Sequence, residues 1–295
     1  MDIQRIRYFL EVARQKNFSK AAKVCHISQP SLSQQIMKLE EEVSGALFLR
    51  NRGSIELTQH GQAFLKHANA IMAEVQTAKE FVEETDGNKN ITIRFGAVPT
   101  IAPYLIPEIF TRIKKVLPYA KLELREGLTA SLVEALRNDA IDFALLSPKT
   151  DVDKEANSLL LKKDRLILTM PKDYKPSKTG KIRISQLKKS RAILLEHSHC
   201  LSTQAASYCK AVGLHSEITI QASQIETLLG LVEKGFGYTF TPEIAIPHHA
   251  YRNVSYHQIA AEPYYREIKL YWMKRHIHTR WQTAVIECLK NFEFC

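Results

Sequence analysis

The sequence predicts an α/β fold of repeated strand and helix units, preceded by a small helical unit with a β-wing and by one long helix. Three observations carry this expectation. Residues 1–60 hold short helical patterns broken by turn residues and closed by a hairpin-like run. Between Gly61 and Glu84 there is no further Gly and no Pro, and apolar residues recur at steps of four and three. Beyond residue 90, strand-length apolar runs alternate with amphipathic helical ones.

Composition narrows the function classes. At 295 residues, 45% hydrophobic and 24% charged, the chain has the balance of a globular protein with room for two or three cores. No apolar run approaches the roughly 20 residues needed to cross a bilayer, and the start has no signal-peptide core, so a cytoplasmic protein without a membrane partner is expected. A net charge of +10 is compatible with nucleic acid but does not establish it. Residues 1–90 carry twelve Lys/Arg against eleven Asp/Glu, so most of the excess lies later. Five scattered cysteines, Cys25, Cys200, Cys209, Cys288 and Cys295, are too few for a secreted disulfide scaffold.

In the first helix, Ile3, Ile6, Phe9, Leu10 and Ala13 fall at helical spacing up to Lys16. Ser19 is the expected cap of a short second helix, Lys20 to Cys25, and a turn follows at His26-Ile27. Ser28 is placed to cap the third helix, Gln29 to Glu42, with Pro30 in its first turn where a missing N–H costs nothing. Leu32, Ile36 and Leu39 make one apolar stripe. The opposite side carries Gln29, Pro30, Gln34, Met37 and Lys38, flanked by Ser31 and Ser33. Gln can bond adenine edges, Ser can adapt, and Lys can reach phosphate, which suits a major groove of double-stranded DNA. Two short helices meeting at a tight turn with the second so equipped form a helix-turn-helix. The run Leu47 to Thr58 then reads as a hairpin with Arg50 and Arg52 near its tip, natural contacts for phosphate or the minor groove.

Here the chain resembles a known family. Phe18-Ser19-Lys20-Ala21-Ala22, Ser28 to Ile36, Leu39-Glu40, Leu47-Phe48 with Arg50, and Leu57-Thr58 with Gly61 look like the winged helix-turn-helix of LysR-type transcription regulators. Ser44 departs from the family's usual Gly after the recognition helix and has to tolerate a left-handed or adjusted cap.

Residues 61–86 are expected to form a linker helix. Phe64, Ala68, Ile71, Val75, Ala78 and Val82 make a seam of about three heptads, which either pairs with a second copy or packs on its own domain. Pairing would present two recognition helices to a palindromic site. The resemblance implies a homodimer or homotetramer, with RNA polymerase as a further partner and activation of transcription as the role. Thr85 to Asn90 reads as a hinge.

Residues 87–295 make up the remaining domain. Strands are expected at Ile91 to Ala97, Lys121 to Glu126, Ile141 to Leu146, Leu159 to Thr169, Ala192 to Glu196, Ile218 to Gln221, Tyr238 to Phe240 and Glu267 to Trp272. Helices are expected at Pro103 to Leu117, Ala130 to Asn138, Thr203 to Val212, Ile225 to Glu233 and Thr279 to Asn291. No P-loop, GxGxxG, nucleophile elbow or HExxH occurs, so a receptor without a cofactor is expected rather than an enzyme. The LysR resemblance implies two lobes like those of periplasmic binding proteins, residues 91–163 with 268–295 and residues 164–267.

The segment Leu194 to Cys209 is the most informative stretch. Cys200 follows a strand and a polar turn and opens a helix. The helix N-terminus and the adjacent His199 both favour a thiolate there. Cys209 comes nine residues later. In a continuous helix roughly 13 Å would separate the pair, against about 7 Å for a disulfide, so the two can join only if the helix unravels. On spacing alone, inert packing of both thiols stands beside a reactive pair. A metal reading through His197, His199, Cys200, Cys209 and His215 matches no standard zinc spacing.

His199-Cys200-Leu201, Gln204-Ala205, Cys209 and Gly213 resemble the redox segment of OxyR-type peroxide sensors. Val98-Pro99-Thr100 with Pro103-Tyr104-Leu105, Thr129, and Pro263 with Arg266 are similar to the same subgroup. The resemblance implies hydrogen peroxide as effector, Cys200 as the attacking thiol and Cys209 as the resolving one. It likewise implies that Thr100, Thr129 and His199 position peroxide and that Arg266 favours the thiolate. Ser202-Thr203 departs from the subgroup's usual Arg-Asp, which puts proton delivery and oxidant preference in doubt. A regulator whose cleft binds a small metabolite, with bystander cysteines, is the alternative. A thiol peroxidase on a DNA-binding scaffold lacks a CxxC partner motif.

Overall fold

The computed structural model describes residues 1–51, 54–85, 91–147, 152–174, 181–182, 187, 191–196, 200–211, 213, 218–249, 253–274 and 279–290. The chain divides into two compact units, Met1–Lys89 with Arg137–Ala140, and Asn90–Leu136 with Ile141–Cys295.

The first unit begins with α1 (Ile3–Gln15), α2 (Phe18–Val24) and α3 (Gln29–Glu42). Asp2 caps α1 by accepting from the Arg5 amide at 2.8 Å. The cap of α2 is Asn17, whose side-chain oxygen accepts from the Lys20 amide at 2.9 Å, and not Ser19 as the sequence suggested. Moving the cap two residues back places Phe18 inside the helix, where its ring is buried against Phe48. Ser28 caps α3 as expected, accepting from the Ser31 amide at 3.2 Å.

Strands β1 (Phe48–Asn51) and β2 (Ser54–Leu57) pair antiparallel, Phe48 opposite Leu57, and form the wing. Glu40 fixes its entry: one carboxylate oxygen accepts from the Leu47 amide at 2.7 Å and from the Phe48 amide at 3.2 Å. At the exit, the Thr58 hydroxyl donates to the Ala46 carbonyl at 2.6 Å and accepts from the Gly61 amide. A Cβ on Gly61 would lie 2.1 Å from the Leu47 carbonyl oxygen, so no other residue fits there. Ser44, standing where Gly was expected, takes the left-handed conformation with φ 54°.

Helix α4 (Gln59–Thr85) is the long helix. Ala68 is fully buried, and Phe64 and Ile71 pack on the core of α1, α3 and the wing, with Phe64 edge-on to Phe9 at 5.0 Å. The first half of the predicted seam is therefore used within its own domain, contrary to a seam devoted throughout to a second copy. Phe9 and Phe48 are large rings left open by the short helices, and the nearest apolar surface in the chain covers them.

In the second unit, β3 (Thr92–Ala97) pairs in parallel with β4 (Lys121–Glu126) and β5 (Phe143–Leu146), joined by α5 (Ala102–Val116) and α6 (Thr129–Arg137). After the single turn α7 (Val152–Glu155), β6 (Ala156–Pro171) spans sixteen residues. It is followed by β7 (Lys181–Ile182), β8 (Ala192–Leu195), α8 (Cys200–Ala211), β9 (Ile218–Ala222) and α9 (Ile225–Glu233). Next come β10 (Thr239–Pro242), a 3-10 segment Glu243–His249, β11 (Val254–Ile259), β12 (Tyr265–Met273) and α10 (Arg280–Lys290).

The length of β6 organises this unit. Its first ten residues, Ala156 to Arg165, lie antiparallel to β12, which also pairs with β5. Its last six, Leu166 to Pro171, instead pair with β10 and β11. Two groups of helices and strands thus share one strand, and the hand-over falls where Asp164 stands opposite Arg266. The second group also contains the small parallel sheet β8-β9. Strand β11 and the 3-10 segment were not foreseen, because β11 buries only its end residues and so lacks the alternation that marks a half-buried strand.

Candidate functional site

Two places carry the residues singled out in the sequence. The first is the outer face of α3. Leu32, Ile36 and Leu39 are fully buried, which turns Gln29, Pro30, Ser31, Gln34, Met37 and Lys38 outward, all exposed, with Ser33 half-buried beside them. Ser31 is partly committed: its hydroxyl oxygen accepts from the Ser28 hydroxyl at 2.8 Å. Arg50 lies in β1 with its side chain outside the described residues, and Arg52 lies outside them altogether. Arg5 is committed within the unit, where it bonds Gln35, Glu42 and Asp2.

The second place surrounds helix α8 and the hand-over in β6. Cys200 and Cys209 belong to the one helix, as expected, with Cys200 its first residue. The side chain of Cys200 and all of His199 lie outside the described residues. Cys209 is half-buried and packs against the core, and burial pushes its thiol up to about 11. Such a thiol is protonated and unreactive near neutral pH. Leu201, Ala205 and Tyr208 form the buried face of α8. The Tyr208 hydroxyl donates to the Glu262 carbonyl at 2.9 Å, and its ring packs against Phe240 and Tyr264.

Gln204 ties α8 to the other group of elements. Its side-chain nitrogen donates to the Ser147 carbonyl, just beyond β5, at 2.5 Å. Its Oε1 is buried with no hydrogen-bond partner among the described residues, and so is the hydroxyl of Ser202, which is itself buried. Thr203 is exposed. Where the resemblance leads one to expect Arg-Asp, this chain therefore puts one buried hydroxyl and one solvated one.

Thr100 and Arg266 are brought together. Arg266 is fully buried and bonds through all three guanidinium nitrogens: Nε donates to Asp164 at 2.7 Å, Nη1 to the Thr100 hydroxyl at 3.1 Å and Nη2 to the Thr100 carbonyl at 3.0 Å. Asp164, equally buried, also accepts from the Ile244 amide at 3.0 Å and so holds the start of the 3-10 segment. Sequence reading missed Asp164. Asp164 sits in the charged run Lys162-Lys163-Asp164-Arg165, which reads as solvated, so no local signal marked it as buried. Thr129 is the first residue of α6 and is half-buried. Among the described residues no group of three or more His, Cys, Asp or Glu could hold a metal, and His197 and His215 lie outside them.

A cavity of about 520 Å³ lies elsewhere, lined by Met170, Pro171, Tyr174, Arg191 and the turn Lys234 to Gly237. None of the site residues named above touches it. Cys25 caps the C-terminus of α2, half-buried, and burial raises its thiol. Among the described residues no helix is long and apolar enough to cross a membrane.

Residues 3–62 match the bacterial regulatory helix-turn-helix of the lysR family, and residues 86–292 match the LysR substrate binding domain. The chain belongs to the LysR family. It is therefore a DNA-binding transcription regulator, and the family's activity is not enzymatic. Among its LysR relatives, the hydrogen peroxide-inducible genes activator of Haemophilus influenzae is 30% identical over 248 residues, 83% of this chain and 81% of that one. The transcriptional dual regulator GltC of Bacillus subtilis is also 30% identical, over 82% of this chain and 81% of its own length. Full-length OxyR of Pseudomonas aeruginosa has the same fold, with a TM-score of 0.78 at 24% identity over 99% of this chain and 94% of that one.

Proposed function

We propose that this LysR-family regulator senses hydrogen peroxide through a thiol/disulfide switch at Cys200 and Cys209. The Cys200 thiolate attacks one peroxide oxygen; the O–O bond breaks, and the departing hydroxide takes a proton to become water. Cys200 is left as a sulfenic acid. The Cys209 thiolate then attacks that sulfur, the S–O bond breaks, a second water leaves, and the disulfide forms. Two thiols are oxidised and one peroxide is reduced to two waters.

The observation that carries the reading is that one continuous helix holds both cysteines. Nine residues apart on α8, they stand roughly 13 Å apart along the axis and half a turn out of phase, too far for the about 7 Å a disulfide allows. Oxidation therefore requires α8 to unravel, which turns a local bond into a rearrangement of the segment. The buried, protonated state of Cys209 fits a resolving thiol that becomes nucleophilic only once exposed.

The neighbouring residues support defined roles. Thr100 accepts from Arg266, so its own O–H remains available to donate to a peroxide oxygen. Thr129, at the start of α6, and His199 complete the proposed peroxide contacts. Arg266 faces Asp164, which offsets its charge, so the thiolate depends chiefly on the N-terminus of α8 and on His199. On DNA the chain works as a homodimer or homotetramer, with Gln29, Pro30, Ser31, Ser33, Gln34 and Lys38 facing the groove, Arg50 and Arg52 near phosphate, and RNA polymerase as the partner in activation.

Mass spectrometry after stoichiometric peroxide tests this directly. A Cys200–Cys209 bond is the expected product, and an unmodified Cys200 at every dose overturns the proposal. The match of residues 86–292 to the LysR substrate binding domain favours a second reading, a small metabolite as effector with the cysteines incidental. In that case Cys200→Ser leaves the transcriptional response intact.

A further inference from the structure

Helix α3 carries one long, flexible apolar side chain on its outer face, where the compact ring of Pro30 is the other apolar group and the rest are amides, hydroxyls and a lysine. Pro30, Gln34 and Met37 follow each other at steps of four and three, so they form one row along the helix, with Lys38 beside it. Most other positions of the helix are accounted for, with Glu41 exposed one turn beyond Met37. Leu32, Ile36 and Leu39 fill the core, Gln35 and Glu42 hold Arg5, and Glu40 holds the wing. Met37 is 45% exposed at the C-terminal end of this row, on the surface that a helix-turn-helix presents to the major groove.

A single exposed apolar residue on an ordinary surface needs no explanation. This one stands where binding brings base edges against it. A thioether has no hydrogen to donate and is a poor acceptor, so it gains nothing from phosphates, amino groups or carbonyl oxygens. The apolar feature in the major groove is the 5-methyl group of thymine. An unbranched, polarisable side chain adapts readily to such a contact.

We infer that Met37 is a specificity-determining residue of the recognition helix, reading the 5-methyl group of a thymine in each half-site. Gln34 and Lys38 on either side supply the polar contacts, and Met37 adds discrimination for thymine over cytosine without any hydrogen bond.

The test uses the full-length chain and duplex DNA that the chain itself selects from a random library. Each thymine of the selected site is replaced in turn by deoxyuridine, which keeps base pairing and removes only the methyl group. One thymine per half-site should lose affinity about fourfold, the equivalent of ~0.8 kcal/mol for one buried methyl group. Met37→Ala should bind the thymine site about fourfold more weakly per half-site and be indifferent to the replacement, while Met37→Leu should retain the discrimination. The salt dependence of binding should not change, because no phosphate contact is lost. Alanine is the best helix former, so α3 is preserved in the variant, and circular dichroism verifies this. The inference is overturned if no thymine responds to the replacement, if Met37→Ala discriminates as well as the parent, or if its salt slope falls.

Discussion

The side-chain nitrogen of Gln204 lies 2.5 Å from the backbone oxygen of Ser147, so helix α8, which carries Cys209, is fastened to the end of strand β5. A partly buried hydrogen bond of this kind contributes about 1 kcal/mol net, a factor of roughly five in a local opening equilibrium. Gln204→Leu removes the donor and keeps the bulk. Hydrogen exchange across α8, and alkylation of Cys209 without peroxide, should then speed up about fivefold. Unchanged alkylation would show that the contact does not restrain the helix.

Asp164 and Arg266 are a second fastening, placed where β6 passes from one set of partners to the other. Removing one member of a buried pair leaves the other charged and unpaired, which costs about 3–5 kcal/mol. Asp164→Leu and Arg266→Met should each destabilise the effector unit by that order in urea unfolding. Asp164→Leu combined with Arg266→Met should lose clearly less than the sum. Additive losses would mean that the two groups do not act as a pair.

The raised Cys209 thiol sets a pH dependence. Its pKa when folded, about 11, stands above the ordinary value of 9.0, so the folded helix holds the proton more tightly than the unravelled one. The stabilisation from packing the neutral thiol is complete below about pH 9 and is lost as pH rises toward 11. Local opening measured by Cys209 alkylation, corrected for the reactivity of an exposed thiol, should be flat from pH 6 to about 8.5 and then rise. A rise beginning near pH 7 would contradict the burial of this group.

Ser44 holds φ at 54°, a conformation that costs a residue with a side chain roughly 1 kcal/mol. Ser44→Gly removes that cost but adds freedom to the unfolded chain, for a net gain of about 0.5 kcal/mol. For a unit of this size the midpoint of thermal unfolding should rise by about 2–4 °C, readable by calorimetry on the full chain. A fall in the midpoint would show that the serine side chain contributes stability of its own.

Much of this was legible in the residues. The stripe Leu32, Ile36, Leu39, the Ser28 cap and the strand and helix alternation are local patterns, and a local pattern acts through neighbours a few positions away. The placement of both cysteines on one helix was legible for the same reason. Asn17 as a cap in place of Ser19 was a contest between two equally good capping residues, settled by which one lets Phe18 reach the core. The half-seam of α4 that packs on Phe9 could not be told from a dimer seam, since both need the same spacing.

By itself the chain of residues determined the family, the three-helix reader with its wing and the identity of the two candidate thiols, because these depend on spacing and side-chain type. Only the tertiary structure decided that Arg266 meets both Asp164 and Thr100, that Gln204 meets Ser147, and that Cys209 is shielded. Those contacts join positions from 57 to 166 residues apart, and nothing in a short window records which distant strand will close over a given side chain. The closure follows from burying both faces of the later part of β6, Leu166 to Met170, a requirement of the whole sheet that no single segment carries.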